Sequence, residues 1–105
     1  MEPFEVIYYQ KSNGLCPFEE WLLVQETIVQ TRIDAAITAL RLGSLKNTRA
    51  VGDSVYERKI DFGPGYRIYY KRVGQALLII FCAGDKSSQD RDIKLAKQYA
   101  GDGDA

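Results

Sequence analysis

The sequence contains no histidine, one tryptophan, one methionine and only two cysteines among its 105 residues. The absence of histidine excludes a ribonuclease built on paired histidines and a hydrolase built on a Ser-His-Asp triad. It also leaves Cys16 and Cys82 without the partners that a structural zinc site requires. We therefore expect no metal and no other cofactor. Both cysteines are predicted to be reduced thiols, with Cys82 buried in a strand.

Long apolar runs and a basic N-terminal segment are also missing. The longest apolar stretch, residues 76–83, is too short to span a bilayer, and the first five residues are acidic, unlike the start of a secretory signal. These absences predict a cytoplasmic protein with no membrane association. The length fits a single domain at residues 1–100, followed by a flexible C-terminal tail at residues 101–105.

The chain has no excess charge of either sign, because fourteen basic and fourteen acidic side chains give a formal net charge of zero. A neutral protein is not the usual nucleic-acid binder. The charges are nevertheless unevenly distributed along the chain. Residues 1–30 contain one basic and five acidic side chains, whereas residues 31–100 contain thirteen basic and seven acidic ones. This asymmetry permits a cationic face on a neutral molecule.

Hydrophobic periodicity and turn residues predict the element order β-α-α-β-β-β-α. Pro17 suits the first position of a helix, and a helical hairpin with a break near residue 26 is predicted to end at Gly43. Polar residues 44–54 are interpreted as a loop. The other elements are strands at residues 4–10, 55–62, 66–73 and 76–83 and a short final helix at residues 90–99. The expected fold class is α+β, an antiparallel sheet meander with two N-terminal helices and a short C-terminal helix packed on one face. The core is expected to contain Phe18, Trp21, Ile33, Ile37 and Leu40.

The third predicted strand carries alternating charged and apolar side chains. Alternation places Arg67, Tyr69 and Lys71 on one face of the sheet, and Ile68 and Tyr70 on the other. With the helices covering the Ile68 face, the Arg67 face is expected to be open to solvent or to a ligand.

The neighbouring strands add further charges to this region. Glu57 and Lys59 share one face of the preceding strand, although alternation alone does not decide which face points inward. Lys86 follows the last strand, close in space to the hairpin ends. Several cations and an acid can therefore converge on one sheet surface.

Such a mixture suits the cleavage of RNA through its own 2′-OH. That reaction needs a proton acceptor, a cation for the crowded phosphorane and a proton donor for the leaving 5′-oxygen. Arginine binds phosphate in a planar, bidentate way, and a lysine with a depressed pKa transfers protons. The alternative interpretation is a charged face that is only solvated, with Glu57 and Lys59 paired across strands for modest stability.

Three segments together resemble a known protein family. They are PFEEWL at residues 17–22, YERKIDFGPGYRIYY at residues 56–70 and GDKSSQDRDI at residues 84–93. They are similar to the phage-derived "addiction module killer protein" branch of the RelE/ParE toxin superfamily, which is close to HigB-type toxins. The resemblance extends from the first predicted helix to the last.

The resemblance implies the toxin of a type II toxin–antitoxin module. Members of this family are mostly metal-independent endonucleases that cut mRNA on the ribosome, and a helix-turn-helix antitoxin similar to HigA neutralises them. By this resemblance Arg67 and Lys86 stabilise the scissile phosphate, and Lys59 or Glu57 handles a proton. A further set of side chains is expected to bind RNA: Tyr69, Lys71 and Arg91.

Two alternatives remain open from the sequence. The first is a non-enzymatic inhibitor of DNA gyrase, as in the ParE branch of the superfamily. The second is an inactive toxin that only binds its antitoxin. The joint presence of Glu57, Lys59, Arg67 and Lys86 favours the endonuclease over the gyrase inhibitor, and the inactive toxin stays open.

Overall fold

The computed structural model describes residues 2–103, which form five strands, three α-helices and one 3₁₀ turn. The elements are β1 (Glu5–Tyr8), α1 (Pro17–Leu23), α2 (Thr27–Arg41), β2 (Thr48–Gly52), β3 (Val55–Ile60), β4 (Tyr66–Val73), β5 (Leu77–Gly84), the 3₁₀ turn (Lys86–Ser88) and α3 (Gln89–Gly103). The predicted α+β class is confirmed. None of the helices in the described chain has the length and apolar character needed to cross a membrane.

The helical hairpin follows from local sequence signals. Pro17 is the first residue of α1, where its missing N–H costs no hydrogen bond, and acidic side chains occupy the first turn. The predicted break is confirmed, since α1 ends at Leu23 and α2 begins at Thr27. Gly43 follows α2 with a φ of +89°, a conformation that favours glycine and stops the helix there.

The sheet is mixed, and its strand order is β1-β5-β4-β3-β2. The pairs β3–β4 and β4–β5 are antiparallel, as predicted, and β2 is also antiparallel to β3, but β1 pairs with β5 in parallel. The expectation of a purely antiparallel meander is therefore wrong at β1. The physical reason is the connection: β1 is separated from β5 by most of the chain, and a long crossover allows parallel pairing that a hairpin forbids.

Strand β2 lies inside the segment that was predicted to be a loop. Three of its five residues are exposed and apolar residues do not alternate along it, so nothing in its pattern indicates a strand. Pairing with β3 forms it, with Thr48 opposite Arg58 and Arg49 opposite Glu57. The turn between the two strands has φ values of +55° and +64° at Asp53 and Ser54, the arrangement of a tight hairpin turn.

Helices cover both faces of the sheet. The α1–α2 hairpin packs over Ile68, Tyr70 and Ile80 in one apolar cluster, whereas Ala96 and Ala100 of α3 pack over a second cluster on the opposite face. The prediction that every helix lies on one face is wrong for α3. Strands β4 and β5 have large apolar side chains on both faces of the sheet, so helices must pack against both faces to bury them.

The last helix is also longer than predicted, because α3 has fifteen residues and ends at Gly103. Residues 101–103 of the predicted flexible tail are therefore helical. The remaining two residues of that tail, 104 and 105, lie outside the described residues.

Candidate functional site

The register between β3 and β4 brings the predicted site residues together. Lys59 lies opposite Arg67, and Glu57 lies opposite Tyr69, so these four side chains share one face of the sheet. That face is the one that α3 partly covers. Tyr69 has no exposed surface and Arg67 is only 6% exposed. The expectation of an open Arg67–Tyr69–Lys71 face is therefore wrong, because the small side chains of α3 let the helix approach the strands closely.

Tyr69 has a structural role. It packs with Val55 and Phe81 beneath α3, and its hydroxyl donates a hydrogen bond of 2.9 Å to Oε2 of Glu57. Burial and the adjacent carboxylate both raise the pKa of Tyr69 far above its usual value. A fully buried ring cannot stack on a base, so the prediction that Tyr69 binds RNA is wrong.

Glu57 is a buried carboxylate that accepts hydrogen bonds from three side chains. Arg49 Nε donates to Oε1 at 2.8 Å, while Tyr69 and Gln89 Nε2 donate to Oε2 at 2.9 and 3.0 Å. Burial by itself raises the pKa of Glu57, but the hydrogen bonds from Arg49, Gln89 and Tyr69 outweigh it, and the pKa lies below its ordinary value. Glu57 is thus held ionised and fully engaged, which leaves Lys59 as the candidate for proton transfer.

The Arg67 guanidinium makes one hydrogen bond and lies near one carboxylate. Nη1 donates a 2.7 Å hydrogen bond to the carbonyl of Gly65, and Nε lies 3.9 Å from Oε2 of Glu57. Gly65 has a φ of +82°, and a Cβ there would stand 3.4 Å from Nη1. The Gly63-Pro64-Gly65 turn between β3 and β4 therefore also positions the arginine.

Three predicted cations line one open groove. Lys59, Arg67 and Lys86 surround a depression of about 370 Å³ together with the Gly63-Pro64-Gly65 turn. Lys86 is exposed in the 3₁₀ turn after β5, which Asp85 caps by accepting a hydrogen bond from the amide of Ser87. The Lys59 ammonium lies 3.4 Å from Asp61. Arg67 and Lys86 are therefore on the same side of the molecule, as the sequence predicted.

The two remaining predicted RNA contacts lie farther from this groove. Lys71 pairs with Val55 and Ile79, four residues along β4 from Arg67. Arg91 has a side chain that is 75% exposed on α3, and it lines a neighbouring depression that also includes Lys86. The assignment of Lys71 and Arg91 to RNA binding stays a prediction.

A second depression adjoins the first and contains two side chains that the sequence did not indicate. Its volume is about 510 Å³, and its lining includes Arg49 and Gln89. Arg49 was missed because its segment was interpreted as a loop, and Gln89 lies just before the final helix that was predicted at residues 90–99. The available signal was the cross-strand position of Arg49 opposite Glu57, which becomes visible once β2 is recognised.

The cysteines contribute no reactive group to the grooves. Cys82 is buried in β5, as predicted, and burial raises the pKa of its thiol to about 12. Cys16 is a free thiol at the start of α1. Within residues 2–103 no three acidic, cysteine or histidine side chains form a group that could hold a metal ion.

Comparison with known proteins identifies a relative of this chain. No protein-family profile matches the sequence. An uncharacterized protein of Haemophilus influenzae is 40% identical over 84 residues, which cover 79% of this chain and 85% of that protein. The matched length is large enough to include most of the fold.

Proposed function

The chain belongs to the same family as this uncharacterized Haemophilus influenzae protein, and we propose that it is the toxin of a type II toxin–antitoxin module. In this proposal it is a metal-independent endoribonuclease of the HigB-like branch that cuts mRNA on the ribosome, in the cytoplasm, and so inhibits translation. The fold is proposed to be of the RelE type, with a helical hairpin before a four-strand meander and one helix after it.

The observation that carries the proposal is the convergence of Lys59, Arg67 and Lys86 on one groove. These side chains come from β3, β4 and the turn after β5, so only the folded chain brings them together. Cations held at fixed positions stabilise the charge that develops on a phosphate during cleavage. The guanidinium of Arg67 is held by its hydrogen bond to the carbonyl of Gly65, so little reorganisation is needed when a phosphate binds.

The proposed reaction uses the 2′-oxygen of the RNA as the nucleophile. This oxygen attacks the adjacent phosphorus and loses its proton, the bond to the 5′-oxygen breaks, and that oxygen takes up a proton. The products are a 2′,3′-cyclic phosphate and a 5′-hydroxyl. Arg67 and Lys86 stabilise the phosphorane, and the more accessible Lys59 transfers a proton. The ribosome positions the mRNA and supplies the remaining contacts.

The test is expression in growing bacteria, followed by mapping of mRNA 5′ ends. We expect new ends at defined codon positions with the wild-type chain and about 100-fold fewer with Lys86→Ala, since one charge-stabilising donor is worth that much. Lys86 is exposed, so its loss should leave folding intact. Lys94→Ala removes a lysine on α3 that is also exposed, and it serves as the matched control.

A second variant addresses the buried arginine. Arg67→Lys keeps the positive charge but removes bidentate phosphate binding, and we expect it to lower cleavage while circular dichroism stays unchanged. DNA damage without new mRNA ends would overturn the endonuclease in favour of a gyrase inhibitor. Ordinary growth without new ends would indicate an inactive toxin.

The proposed partner is a cognate helix-turn-helix antitoxin similar to HigA. Co-expression with a helix-turn-helix protein encoded beside the toxin gene should restore growth and yield a stable complex on size-exclusion chromatography. Growth arrest that persists in the presence of that protein would contradict this pairing.

A further inference from the structure

The two depressions of the candidate site form one groove, because they share Lys59 and Arg67 in their walls. The first half contains Lys86 and the glycine-proline turn. The second half continues past Lys59 and Arg67 to Arg49 on β2 and Gln89 at the start of α3. A ligand that binds at Lys59 and Arg67 can therefore extend into either half of the groove.

Arg49 is built into the second half as an anion-binding side chain. Its hydrogen bond to Glu57 uses Nε, at the base of the guanidinium, and 60% of the side chain remains exposed. The bond fixes the plane of the guanidinium, and a fixed guanidinium loses less freedom when it binds a phosphate. Arg49 is thus a second arginine beside Glu57, hydrogen-bonded to the carboxylate, whereas Nε of Arg67 lies 3.9 Å from it.

Gln89 is held in one orientation by the same carboxylate. Its Nε2 donates to Oε2 of Glu57 at 3.0 Å, and an ionised carboxylate only accepts, so the amide cannot be reversed. Oε1 and the second N–H remain for a ligand. A carboxamide with a fixed orientation can distinguish base edges, because each base has its own pattern of donors and acceptors.

The charges of the groove suit a chain of phosphates. Arg49, Lys59, Arg67 and Lys86 line it against two carboxylates, Glu57 and Asp61. Glu57 is buried and bonded to Arg49, and Asp61 lies 3.4 Å from Lys59. The groove is therefore cationic over its full length. A single small anion would need only one of the two halves.

We propose that the second half of the groove is a nucleotide subsite. Arg49 binds the phosphate next to the one that is cleaved, and Gln89 contacts the base of that nucleotide and contributes to the choice of cut site. This inference rests on the proposed endonuclease function. It assigns specificity to Gln89 and substrate positioning to Arg49.

The test compares cut sites of Gln89→Ala, Arg49→Ala, Arg49→Lys and the control Lys94→Ala by mapping mRNA 5′ ends. Gln89→Ala should change the nucleotide frequency at one position beside the cut by about tenfold, as expected for the loss of one base contact. Arg49→Ala should lower the number of ends about tenfold at all sites, and Arg49→Lys should restore part of it.

The readout separates a subsite from a merely structural effect. A loss of folding or of Arg67 alignment lowers the number of ends but does not change the sequence preference. If Gln89→Ala keeps the wild-type nucleotide preference beside the cut, the base contact is overturned, whatever the total number of ends. If Arg49→Ala makes as many ends as the wild type, the phosphate contact is overturned. If the wild-type chain makes no new ends, both this inference and the proposed function are overturned.

Discussion

At the residue scale, Glu57 connects the core to the groove. It is 4% exposed, yet it is charged, because its two oxygens accept hydrogen bonds from β2, from β4 and from α3. A buried carboxylate with three donors is a stable anion that holds its partners in place. Glu57 orients Arg49 by a hydrogen bond, and its negative charge lowers the net positive charge of the site.

Glu57→Gln tests this role through pH. The pKa of Glu57 is lower in the folded state than in the unfolded state, where it is near 4.5. Ionised Glu57 therefore stabilises the fold fully above pH 4.5, and this stabilisation is lost as the pH falls through the folded-state pKa. We expect the free energy of unfolding of the variant at pH 7 to be about 3 kcal/mol lower than that of the wild type, because Arg49 and Arg67 lose the buried anion beside them. The difference should shrink below pH 4.5.

Urea unfolding of both proteins between pH 7 and pH 3 measures this difference. Burial raises the pKa of Asp92, which acts in the opposite direction, but Asp92 is present in both proteins and cancels in the comparison. A gap that stays constant down to pH 3 would show that the charge of Glu57 is not what stabilises the fold.

At the scale of elements, the contact between β5 and α3 determines which face the groove uses. The 3₁₀ turn leads directly from β5 into α3, and Asp92 near the start of the helix is buried, accepting a 2.6 Å hydrogen bond from the hydroxyl of Ser88. Gly84 at the end of β5 makes room for this arrangement. A Cβ at that position would overlap the Asp92 carboxylate and lie 2.6 Å from Oγ of Ser88.

Gly84→Ala is therefore expected to lower the free energy of unfolding by about 2 kcal/mol, or roughly 10 °C in Tm, through overpacking. Gly101→Ala is the matched control, because nothing lies within 4 Å of its added Cβ in α3. Alanine favours the helix there, so the control should be about 0.5 kcal/mol more stable than the wild type. Thermal denaturation followed by circular dichroism gives both values. Equal melting temperatures for the two variants would contradict the close approach of α3 to β5.

At the scale of the whole molecule, the charge distribution explains how a neutral chain presents a cationic groove. The formal net charge is zero, so long-range attraction to nucleic acid is weak. The groove cations come from residues 49–86, whereas the acidic residues of the first thirty positions lie on β1 and the α1–α2 hairpin or the segments beside them. Attraction is local and should be sensitive to salt.

The salt dependence of RNA binding tests this arrangement. The probe is a fluorescent single-stranded 2′-O-methyl oligoribonucleotide, which cannot be cleaved because its nucleophile is blocked. With three to four phosphates neutralised, log K should fall with log salt at a slope of roughly −2 to −3, and Lys86→Ala should reduce the slope by about 0.7. Fluorescence anisotropy at several salt concentrations measures it. Identical slopes for Lys86→Ala and Lys94→Ala would mean that the RNA binds elsewhere.

The sequence by itself determined the features that depend on near neighbours in the chain. The strand predicted at residues 66–73 is β4, Tyr66–Val73, and the helical hairpin breaks and ends where its turn residues indicate. Alternation correctly placed Glu57 with Lys59 on one face of β3, and Arg67 with Tyr69 on one face of β4, because the period of a strand is local. The predicted core residues Phe18, Ile33 and Leu40 are buried for the same reason.

Only the tertiary structure decided what covers each face and which strands meet. The parallel pairing of β1 and the formation of β2 depend on partners far along the chain. The position of α3 buries Tyr69 and brings Gln89 within hydrogen-bond distance of Glu57. It leaves Lys59, Arg67 and Lys86 around a groove that the helix does not fill. Periodicity states which side chains share a face, but burial depends on what packs against it, and that packing is a property of the whole folded chain.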